Sequence, residues 1–588
     1  MKSFIVVRMR YGFLRACPIF LAASFGFPFT GLGQMPGPPI QQSQPLPVLV
    51  RVHADHPTGP YIPIWNFFGA DEPNYLYAPD GKKLLGELAA LSPVPVYFRA
   101  HNLLTTGDGE GSLKWGSTNV YAERPDGTPV YDFTITDRIF DALVAAHVRP
   151  LVEIGFMPEA LSTHPEPYRH SFPKGDIFTG WSYPPNNEAK WSKLIVAYAT
   201  HLRERYGSQT SGWLWEVWNE PDISYWHGTP AEYDRLYDLT AAAIRNALPD
   251  AKIGGPEATG ISDHSEPFLR QFLEHCAHGK NAATGGMGAP LDFISYHPKG
   301  RPEFVDGHVV MSVGTQLRAV ERGMKVVSSY PQWRHTPIIL GESDPEGCGA
   351  CLDPRNGYRN GPLYGASVTE ATMRTYELAR KYGLRVEGAV TWAFEFEDQP
   401  AFAGFRALAT DGIDKPVLNA FRLFGMLGGG GPCEEGPHGP ACGSWLATES
   451  DGALPLEQVV AKSVTGDPDV NAVATRNGKE VDVLVWNYHD ADVEARPASI
   501  LLALDGLQSA EVVEGEFRVD ATHSNAYRVW QLMGSPAHPS PEQIEQLEKA
   551  GALEQSVPDH PVPIKAGKVN FVLTVPRQGL ALVRLQER

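Results

Sequence analysis

Apolar and polar residues alternate along this chain with two different periods, and the pattern changes near residue 430. Before that point, short β-rich runs alternate with amphipathic stretches of helical period, such as 187–206 and 229–248. Eight runs are predicted to be strands: 64–68, 94–101, 149–156, 213–220, 252–257, 292–297, 337–342 and 386–394. Eight strand–helix units of roughly 40 residues predict an α/β fold, a (β/α)8 TIM barrel. A doubly wound sheet is the rival fold, but no glycine-rich phosphate loop follows an early strand.

Beyond the glycine-rich boundary at 428–432, alternating residues predict antiparallel strands rather than strand–helix units. These strands are predicted at 481–488, 499–504, 510–519, 569–575 and 580–585, with a helical insert at 540–550. We therefore predict a barrel domain over residues 48–430 and a C-terminal antiparallel β-sandwich domain over residues 431–588. The strand at 47–53 precedes the barrel and is expected to join the sandwich.

The first 33 residues have the order of a secretory signal peptide: basic residues, an apolar run and then small residues. The basic residues are Lys2, Arg8, Arg10 and Arg15. A membrane anchor fits less well, because the apolar run at 16–29 is shorter than the ~20 residues of a span and contains prolines. Residues 34–47 are predicted to be a Pro/Gln-rich tether. The mature protein is therefore expected to be secreted or periplasmic.

Acidic residues outnumber basic ones, 68 against 50, which gives a net charge of -18. This excess argues against nucleic acid or an anionic membrane as the main partner, because no basic block offsets it. A neutral or weakly charged partner fits better, and 13 Trp and 22 Tyr would suit a sugar-stacking cleft. The oligomeric state, including a homo-oligomer, stays open.

Five cysteines lie beyond the predicted signal peptide. Cys433 and Cys442 bracket a Gly/Pro-rich loop, and Cys348 and Cys351 are three residues apart, so each pair is predicted to form a loop disulfide. Cys276 is expected to be buried and free. A redox or zinc role for Cys348 and Cys351 is the alternative, but no second CxxC or close His pair completes a metal site. We predict no metal and no organic cofactor.

Two glutamates end apolar strands shortly before a proline, Glu220 in the sequence 213–222 and Glu342 in the sequence 337–345. They lie three barrel units apart, so both are predicted at the carboxyl ends of strands, where barrel enzymes hold their reactive groups. Two such carboxylates suit glycoside cleavage, in which one donates a proton and the other attacks the anomeric carbon. Neighbouring carboxylates cannot both ionise cheaply, so one stays protonated.

The motif Trp218-Asn-Glu-Pro221 resembles the strand-4 motif of retaining barrel glycosidases, and the wider sequence resembles glycoside hydrolase family 39. That family contains β-xylosidases and α-L-iduronidases. The matching stretches are 98–102, 216–222, 254–256, 292–297, 336–345, 414–417 and, beyond the barrel, 518–541. The resemblance implies a retaining exo-glycosidase with a carbohydrate substrate.

The resemblance also implies roles for individual residues. Glu220 would be the general acid/base and Glu342 the nucleophile. Five other residues would form the sugar site. Asn219 would bind the 2-hydroxyl, and His101 and His297 would line the pocket. Trp392 would stack on one face of the sugar, and Asp398 would bind sugar hydroxyls. Structural roles for the two histidines and a core role for the tryptophan are the alternatives.

Two basic residues divide the family interpretation. Lys299, in His297-Pro-Lys299, and Arg406 resemble the iduronidase branch, where a cation pair facing the sugar C5 would bind a carboxylate. The alternative is that both are solvated loop charges, or that Arg406 pairs with Asp398. We expect the β-xylosidase type, with α-L-iduronide or arabinoside cleavage as alternatives. An inactive carbohydrate-binding protein is the alternative of another class, but it would lack one of the glutamates, and both are present.

Overall fold

The computed structural model describes residues 44–588 except Ser92, Lys114, Tyr168, Pro173, Lys174, Thr179, Gly430, Pro437 and His438. The predicted signal peptide at 1–33 and most of the tether at 34–47 lie outside the described residues. Within the described range, no helix has both the length and the apolar character of a membrane span. Residues from Gln44 to Arg588 form one compact unit.

Eight parallel strands close into a barrel, which confirms the predicted fold. Barrel strands 1 to 8 are Phe67–Ala70, Tyr97–Ala100, Arg149–Ile154, Leu214–Val217, Lys252–Ala258, Phe293–Tyr296, Ile338–Leu340 and Val386–Thr391. Strand 8 pairs with strand 1 to close the ring. Large side chains such as Leu151, Phe293 and Val390 fill its interior, so the barrel is a packed core.

A helix follows each barrel strand. The eight helices are Pro79–Ala89, Thr134–Ala145, Glu188–Tyr206, Pro230–Ala247, Glu266–His278, Val313–Ser328, Pro362–Tyr382 and Pro416–Met426. Residues in the sequence fix where these helices begin and end. Thr229 and Glu232, for example, form a capping box at the start of the fourth helix. The seventh helix ends at Gly383, whose φ of 61° is left-handed.

The C-terminal domain is a nine-stranded sheet. Its spatial order is Glu554–Pro563, Glu511–Val519, Gly579–Glu587, Glu480–Tyr488, Asp469–Asn477, Ser444–Ser450, Leu46–Pro60, Ala498–Asp505 and Val569–Val575. Every neighbouring pair is antiparallel except Leu46–Pro60 with Ala498–Asp505, which is parallel. The N-terminal strand therefore joins this domain, as predicted. Val512, Val50 and Leu573, from both ends and the middle of the order, share one apolar core, so the sheet curls around it.

Shorter elements complete the described fold. Three further helices are Leu456–Lys462, Ala526–Leu532 and Pro541–Gly551. The two-stranded ribbons are Tyr121–Glu123 with Pro129–Tyr131, Arg169–Phe172 with Gly175–Phe178, Glu303–Val305 with His308–Val310, Ala409–Thr410 with Ile413–Asp414, and Glu434–Gly436 with Gly439–Ala441. The 3-10 helices are Pro73–Tyr77, Glu159–Leu161, Gly207–Gly212, Pro331–Trp333 and Pro354–Asn360.

The outer face of the sheet packs against the barrel through polar and apolar contacts. Trp486 belongs to the main barrel core, and its Nε1 donates to Glu370 Oε2 at 2.6 Å. Arg374, on the seventh barrel helix, bonds Asp469 Oδ2 of the sheet at 2.6 Å and Glu370 Oε1 at 2.8 Å. This buried network ties the two layers together.

Residues 44–588, as far as they are described, contain two disulfides, Cys348–Cys351 and Cys433–Cys442. Cys276 is buried with a free thiol. The first disulfide lies in the loop after strand 7, and the second lies between the last barrel helix and the sheet. Both therefore close short local loops.

Candidate active site

Strand 4, Leu214–Val217, delivers Glu220 to the end of the barrel where the strands finish, called the mouth below. Trp218 and Glu220 have φ angles of 70° and 45°, which turn the chain sharply out of the strand. Hydrogen bonds hold this unusual backbone: Glu220 N–H donates to Glu257 O at 3.0 Å, and Trp218 Nε1 donates to Tyr225 O at 2.8 Å. The side chain of Glu220 is 14% exposed.

Strand 7, Ile338–Leu340, is followed by Gly341 and Glu342. A Cβ atom at Gly341 would lie 1.8 Å from Glu257 Oε2 and 3.0 Å from His297 Nε2. Only glycine therefore lets these two side chains approach the strand end. The Glu342 carboxylate is nearly buried at the mouth, with 6% of its side chain exposed.

The barrel brings Glu220 and Glu342 together. Carboxylate oxygens of both lie within 4.8 Å of each other and of a His297 ring nitrogen. His297 Nδ1 is 2.9 Å from Glu220 Oε1 and 3.7 Å from Glu342 Oε1. This spacing fits a retaining pair, whose carboxyl groups lie about 5 Å apart, better than an inverting pair at about 6.5–9.5 Å.

Basic groups surround Glu342. Arg99 Nη1 lies 3.1 Å and His101 Nε2 lies 3.4 Å from Glu342 Oε1, and Lys299 Nζ donates to Oε2. Burial alone would raise the pKa of Glu342, but Lys299, His297 and His101 hold it well below its ordinary value. Glu342 is therefore ionised and suited to attack a carbon centre.

Arg99 anchors a buried ionic cluster behind the paired glutamates that the sequence analysis did not identify. Its side chain is fully buried and contacts Glu153 Oε2 at 2.9 Å, Glu216 Oε1 at 2.5 Å and Glu257 Oε2 at 3.7 Å. Burial, opposed by Arg99 and reinforced by Glu257, raises the pKa of Glu216 well above its ordinary value. Burial would also raise the pKa of Glu257, but Arg99, Glu216 and His297 lower it to about 2. Glu216 thus keeps a proton while Glu257 is charged.

One sequence signal for this cluster was available. Each member is a charged residue within the buried part of a barrel strand: Arg99, Glu153, Glu216 and Glu257. Charged residues in buried strands need partners, because an unpaired charge in the interior is costly. Their positions would have shown that the strands carry a buried polar layer.

His101 and Asn219 lie within the same polar layer. His101 Nδ1 is 2.9 Å from Asp71 Oδ1, and its ring centroid is 4.3 Å from that of Trp392. Asn219 Oδ1 accepts a hydrogen bond from Arg99 Nη2 at 3.1 Å. The Trp392 ring, 4% exposed, also stacks with Arg99. Trp392 therefore packs inside the barrel against the ionic layer, and its predicted contact with a sugar stays a prediction.

Lys299 and Arg406 are both engaged by protein groups. Lys299 Nζ bridges Glu342 and Asp344, with a distance of 2.8 Å to Asp344 Oδ2. Arg406 Nε donates to Trp392 O at 2.8 Å, and its Nη1 lies 3.0 Å from Glu346 Oε1. Lys299 is 13% exposed at its side chain, whereas the Arg406 side chain is fully buried.

The predicted alternatives for Arg406 need correction. It is not a solvated loop charge, and it does not pair with Asp398, which is exposed and has a left-handed φ of 55°. Arg406 pairs with Glu346 instead, because the loop after strand 7 folds over the guanidinium. Arg359 Nη2 also lies 2.8 Å from the Glu346 carboxylate. With its side chain buried, Arg406 has no surface for a direct sugar contact. The predicted role of Asp398 stays a prediction.

Among the described residues, two groups of carboxylates, one of them with a histidine, are close enough to hold a cation. One is the paired glutamates with His297, whose charge Arg99 and Lys299 already offset. The other is Asp80, Glu395 and Glu397. Glu397 Oε1 accepts N–H from Asp80 at the start of the first barrel helix, and burial with nearby carboxylates raises the pKa of Glu395 to about 10. The negative charge of the first group is offset by Arg99 and Lys299, and that of the second is reduced by the proton that Glu395 retains. We assign no metal to either group.

Comparisons with known proteins identify the family of the chain. Residues 97–569 match the model of a protein family described as glycosyl hydrolases family 39. A β-xylosidase from Caldicellulosiruptor saccharolyticus is 28% identical over 447 residues, which is 73% of this chain and 78% of that protein. An α-L-iduronidase from Mus musculus is 25% identical over 583 residues, 92% of this chain and 81% of that protein.

A solved structure has the same architecture. The crystal structure of a monomeric β-xylosidase from Caulobacter crescentus CB15 matches with a TM-score of 0.70 and 21% identity. The match covers 92% of this chain and 99% of that structure. It supports the arrangement of barrel and sheet.

Proposed function

The chain belongs to glycosyl hydrolase family 39, and from that premise we propose that it is a retaining exo-glycosidase of the β-xylosidase type. Retention is supported by one observation above others: carboxylate oxygens of Glu220 and Glu342 lie within 4.8 Å. A pair at this distance acts by double displacement through a covalent glycosyl-enzyme.

In the first step, Glu342 attacks the anomeric carbon while Glu220 gives a proton to the leaving oxygen. The basic groups around Glu342 keep it anionic for this attack. In the second step, Glu220 takes a proton from water as that water displaces Glu342. Asn219 supports both steps: Arg99 occupies its Oδ1, which leaves its Nδ2 group to donate to the sugar 2-hydroxyl.

The xyloside assignment rests on the state of the two basic residues near the mouth. A uronic sugar presents a carboxylate that needs free cationic donors. Lys299 already bridges Glu342 and Asp344, and Arg406 is buried on Glu346. A sugar without a C5 carboxylate, such as xylose, fits this pocket without competing for those contacts.

An α-L-iduronide is the second candidate substrate. Lys299 is the observation in its favour, because its ammonium is partly exposed beside the nucleophile. A sugar carboxylate would have to compete with Asp344 for that ammonium. The resemblance to an α-L-iduronidase over most of the chain agrees with this candidate.

A panel of aryl glycosides tests the proposal: β-xyloside, α-L-iduronide, α-L-arabinoside, β-glucoside and β-galactoside, with the Glu342→Ala variant as the blank. We expect the highest kcat/KM on the β-xyloside. The first-formed product, followed by proton NMR, should keep its anomeric configuration. Preference for the iduronide would overturn the xyloside assignment, and an inverted product would overturn the mechanism.

We also propose that residues 1–33 are a signal peptide and that the mature enzyme is secreted or periplasmic. The charge and apolar order of that segment supports this, and two disulfides suit an oxidising compartment. Amino-terminal sequencing of the exported protein should find a start close to residue 34. An intact N-terminus on the exported protein would contradict cleavage.

A further inference from the structure

One buried carboxylate near Glu342 takes no direct part in double displacement. Glu257 ends strand 5, Lys252–Ala258, and is fully buried with a left-handed φ of 54°. Its Oε2 lies 2.6 Å from His297 Nε2. The opposite ring nitrogen, His297 Nδ1, lies 2.9 Å from Glu220 Oε1. The imidazole therefore bridges a buried carboxylate and the acid/base.

The two contacts of the ring are chemically linked. A hydrogen bond from Nε2 to a carboxylate requires a proton on Nε2. Nδ1 is therefore the ring nitrogen whose protonation decides whether the ring donates a hydrogen bond to Glu220 or accepts one from it. A charged partner on one side of an imidazole also favours the imidazolium form. The imidazolium then donates from Nδ1 and stabilises the ionised form of Glu220.

We propose that Glu257 is a positioning residue that holds His297 as a hydrogen-bond donor to Glu220 and thereby sets the proton affinity of the acid/base. This inference rests on the proposed role of Glu220. The ionised form of Glu220 appears after it protonates the leaving group, and it is the form that activates water. Glu257 acts on both half-reactions through one ring.

The surrounding charges are consistent with an anionic Glu257. Arg99 lies 3.7 Å from its Oε2, and the protonated Glu216 bonds it. Burial alone would lower the pKa of His297, but Glu342, Glu220 and Glu257 raise it to about 9. The other charged groups that face this relay are Glu153 on the Arg99 side, Asp222 beside Glu220, and Lys299 on Glu342.

The pH dependence of kcat/KM for Glu257→Gln tests the proposal. Without the carboxylate, His297 loses its proton at lower pH, and a neutral ring no longer favours ionised Glu220. The alkaline limb, which reports on the acid/base, should then move up by about one pH unit. Glu153→Gln is the matched control, because it makes the same substitution at a buried carboxylate that contacts Arg99 and His101. An unmoved limb, or an equal shift in both variants, overturns the proposal.

Two further variants show whether the effect passes through His297. In a His297→Gln background, Glu257→Gln should cause no additional shift, and an additional shift would overturn the relay. Glu257→Asp keeps the charge at a longer distance and should move the limb in the same direction by less than Glu257→Gln does. A shift as large as that of Glu257→Gln would contradict a role for the charge.

A failure of the relay can be told apart from a failure of the proposed function. If Glu220 is the acid/base, azide accelerates the Glu220→Ala variant whatever Glu257 does. If Glu257→Gln does not fold, NMR of wild-type protein with nitrogen-labelled histidine gives the answer. His297 should still be doubly protonated at about pH 8, above the ordinary histidine pKa. A singly protonated ring at that pH overturns the proposal.

Discussion

Glu342 and Glu220 are the same residue type at the mouth of the same barrel, yet their surroundings differ. Glu342 contacts Arg99, His101 and Lys299, and 6% of its side chain is exposed. Glu220 has one side-chain partner among the described residues, His297, and 14% of its side chain is exposed. Neighbouring strands bring different charges to the two carboxylates, and this difference supports the proposed roles of Glu342 as nucleophile and Glu220 as acid/base.

Barrel geometry explains the asymmetry. Strand 2 supplies Arg99, and His101 follows its last residue. The loop after strand 6 supplies Lys299, so basic groups approach Glu342 from two sides. Glu220 faces strand 6 through a histidine whose other nitrogen is held by a carboxylate. Substitutions at or around Glu342 are therefore expected to change the kinetics differently from substitutions at or around Glu220.

The largest expected effect comes from removing the nucleophile. Glu342→Ala should lower kcat by at least about 10⁴-fold on every glycoside, because no covalent intermediate forms without the carboxylate. Steady-state kinetics on activated and unactivated substrates measure this, with urea unfolding as the control for folding. Substantial turnover of any substrate would show that Glu342 is not the nucleophile.

Removing the acid/base should give a loss that depends on the substrate. Glu220→Ala should lose about 10²–10⁴-fold on glycosides with poor leaving groups, which need proton donation. Aryl glycosides with good leaving groups should lose far less in the first step. Azide should restore turnover and give a glycosyl azide of retained configuration. Equal losses on both kinds of substrate would contradict the assigned roles.

Removing one cation from Glu342 should weaken the contrast between the two carboxylates. Without the Lys299 charge the ionised form of Glu342 is less stable, so its pKa rises. The Lys299→Met variant should therefore show the acid limb of kcat/KM about one pH unit higher than wild type. Lys83→Met is the control, since Lys83 pairs with Glu548 on the surface. An unmoved acid limb would mean that Lys299 does not set the charge of Glu342.

The smallest expected effect concerns stability. His101 Nδ1 pairs with Asp71, and although burial opposes it, Glu153, Asp71 and Glu342 raise the pKa of His101 to about 9. A raised histidine pKa gives stability that is fully present below about pH 6.5 and is lost as pH rises through 9. The stability advantage of wild type over Asp71→Asn should therefore fall by about 1–2 kcal/mol from neutral to alkaline pH. Urea unfolding at both pH values checks it, and a constant difference would contradict a charged His101.

The local part of this structure was predictable. Hydrophobic periodicity located all eight barrel strands, and the rule that reactive groups end barrel strands located Glu220 and Glu342. Strand 554–563 was not predicted, because it contains Pro558, Pro561 and Pro563, and proline is uncommon in strands. Its position at the edge of the sheet explains how those prolines are tolerated.

The non-local part was not predictable from one sequence. Arg99, Glu153, Glu216 and Glu257 come from four strands and meet only because the barrel closes. The alternative in which Arg406 pairs with Asp398 was wrong, because the fold supplies Glu346 from the loop after strand 7. The partner of a buried charge depends on which strand ends adjoin, and that is a property of topology.

The N-terminal strand has a consequence for the order of assembly. Leu46–Pro60 lies inside the C-terminal sheet, where Leu49 N–H bonds Asp451 Oδ1 across 402 residues. At about 5–20 residues per second, the ribosome needs roughly 20–80 s to make that partner. Throughout that interval the strand has both hydrogen-bonding edges open, because the whole barrel, which ends with the helix Pro416–Met426, is synthesised before either partner strand. The yield of folded protein therefore depends on keeping this strand from pairing with other chains until its partner strands have been made.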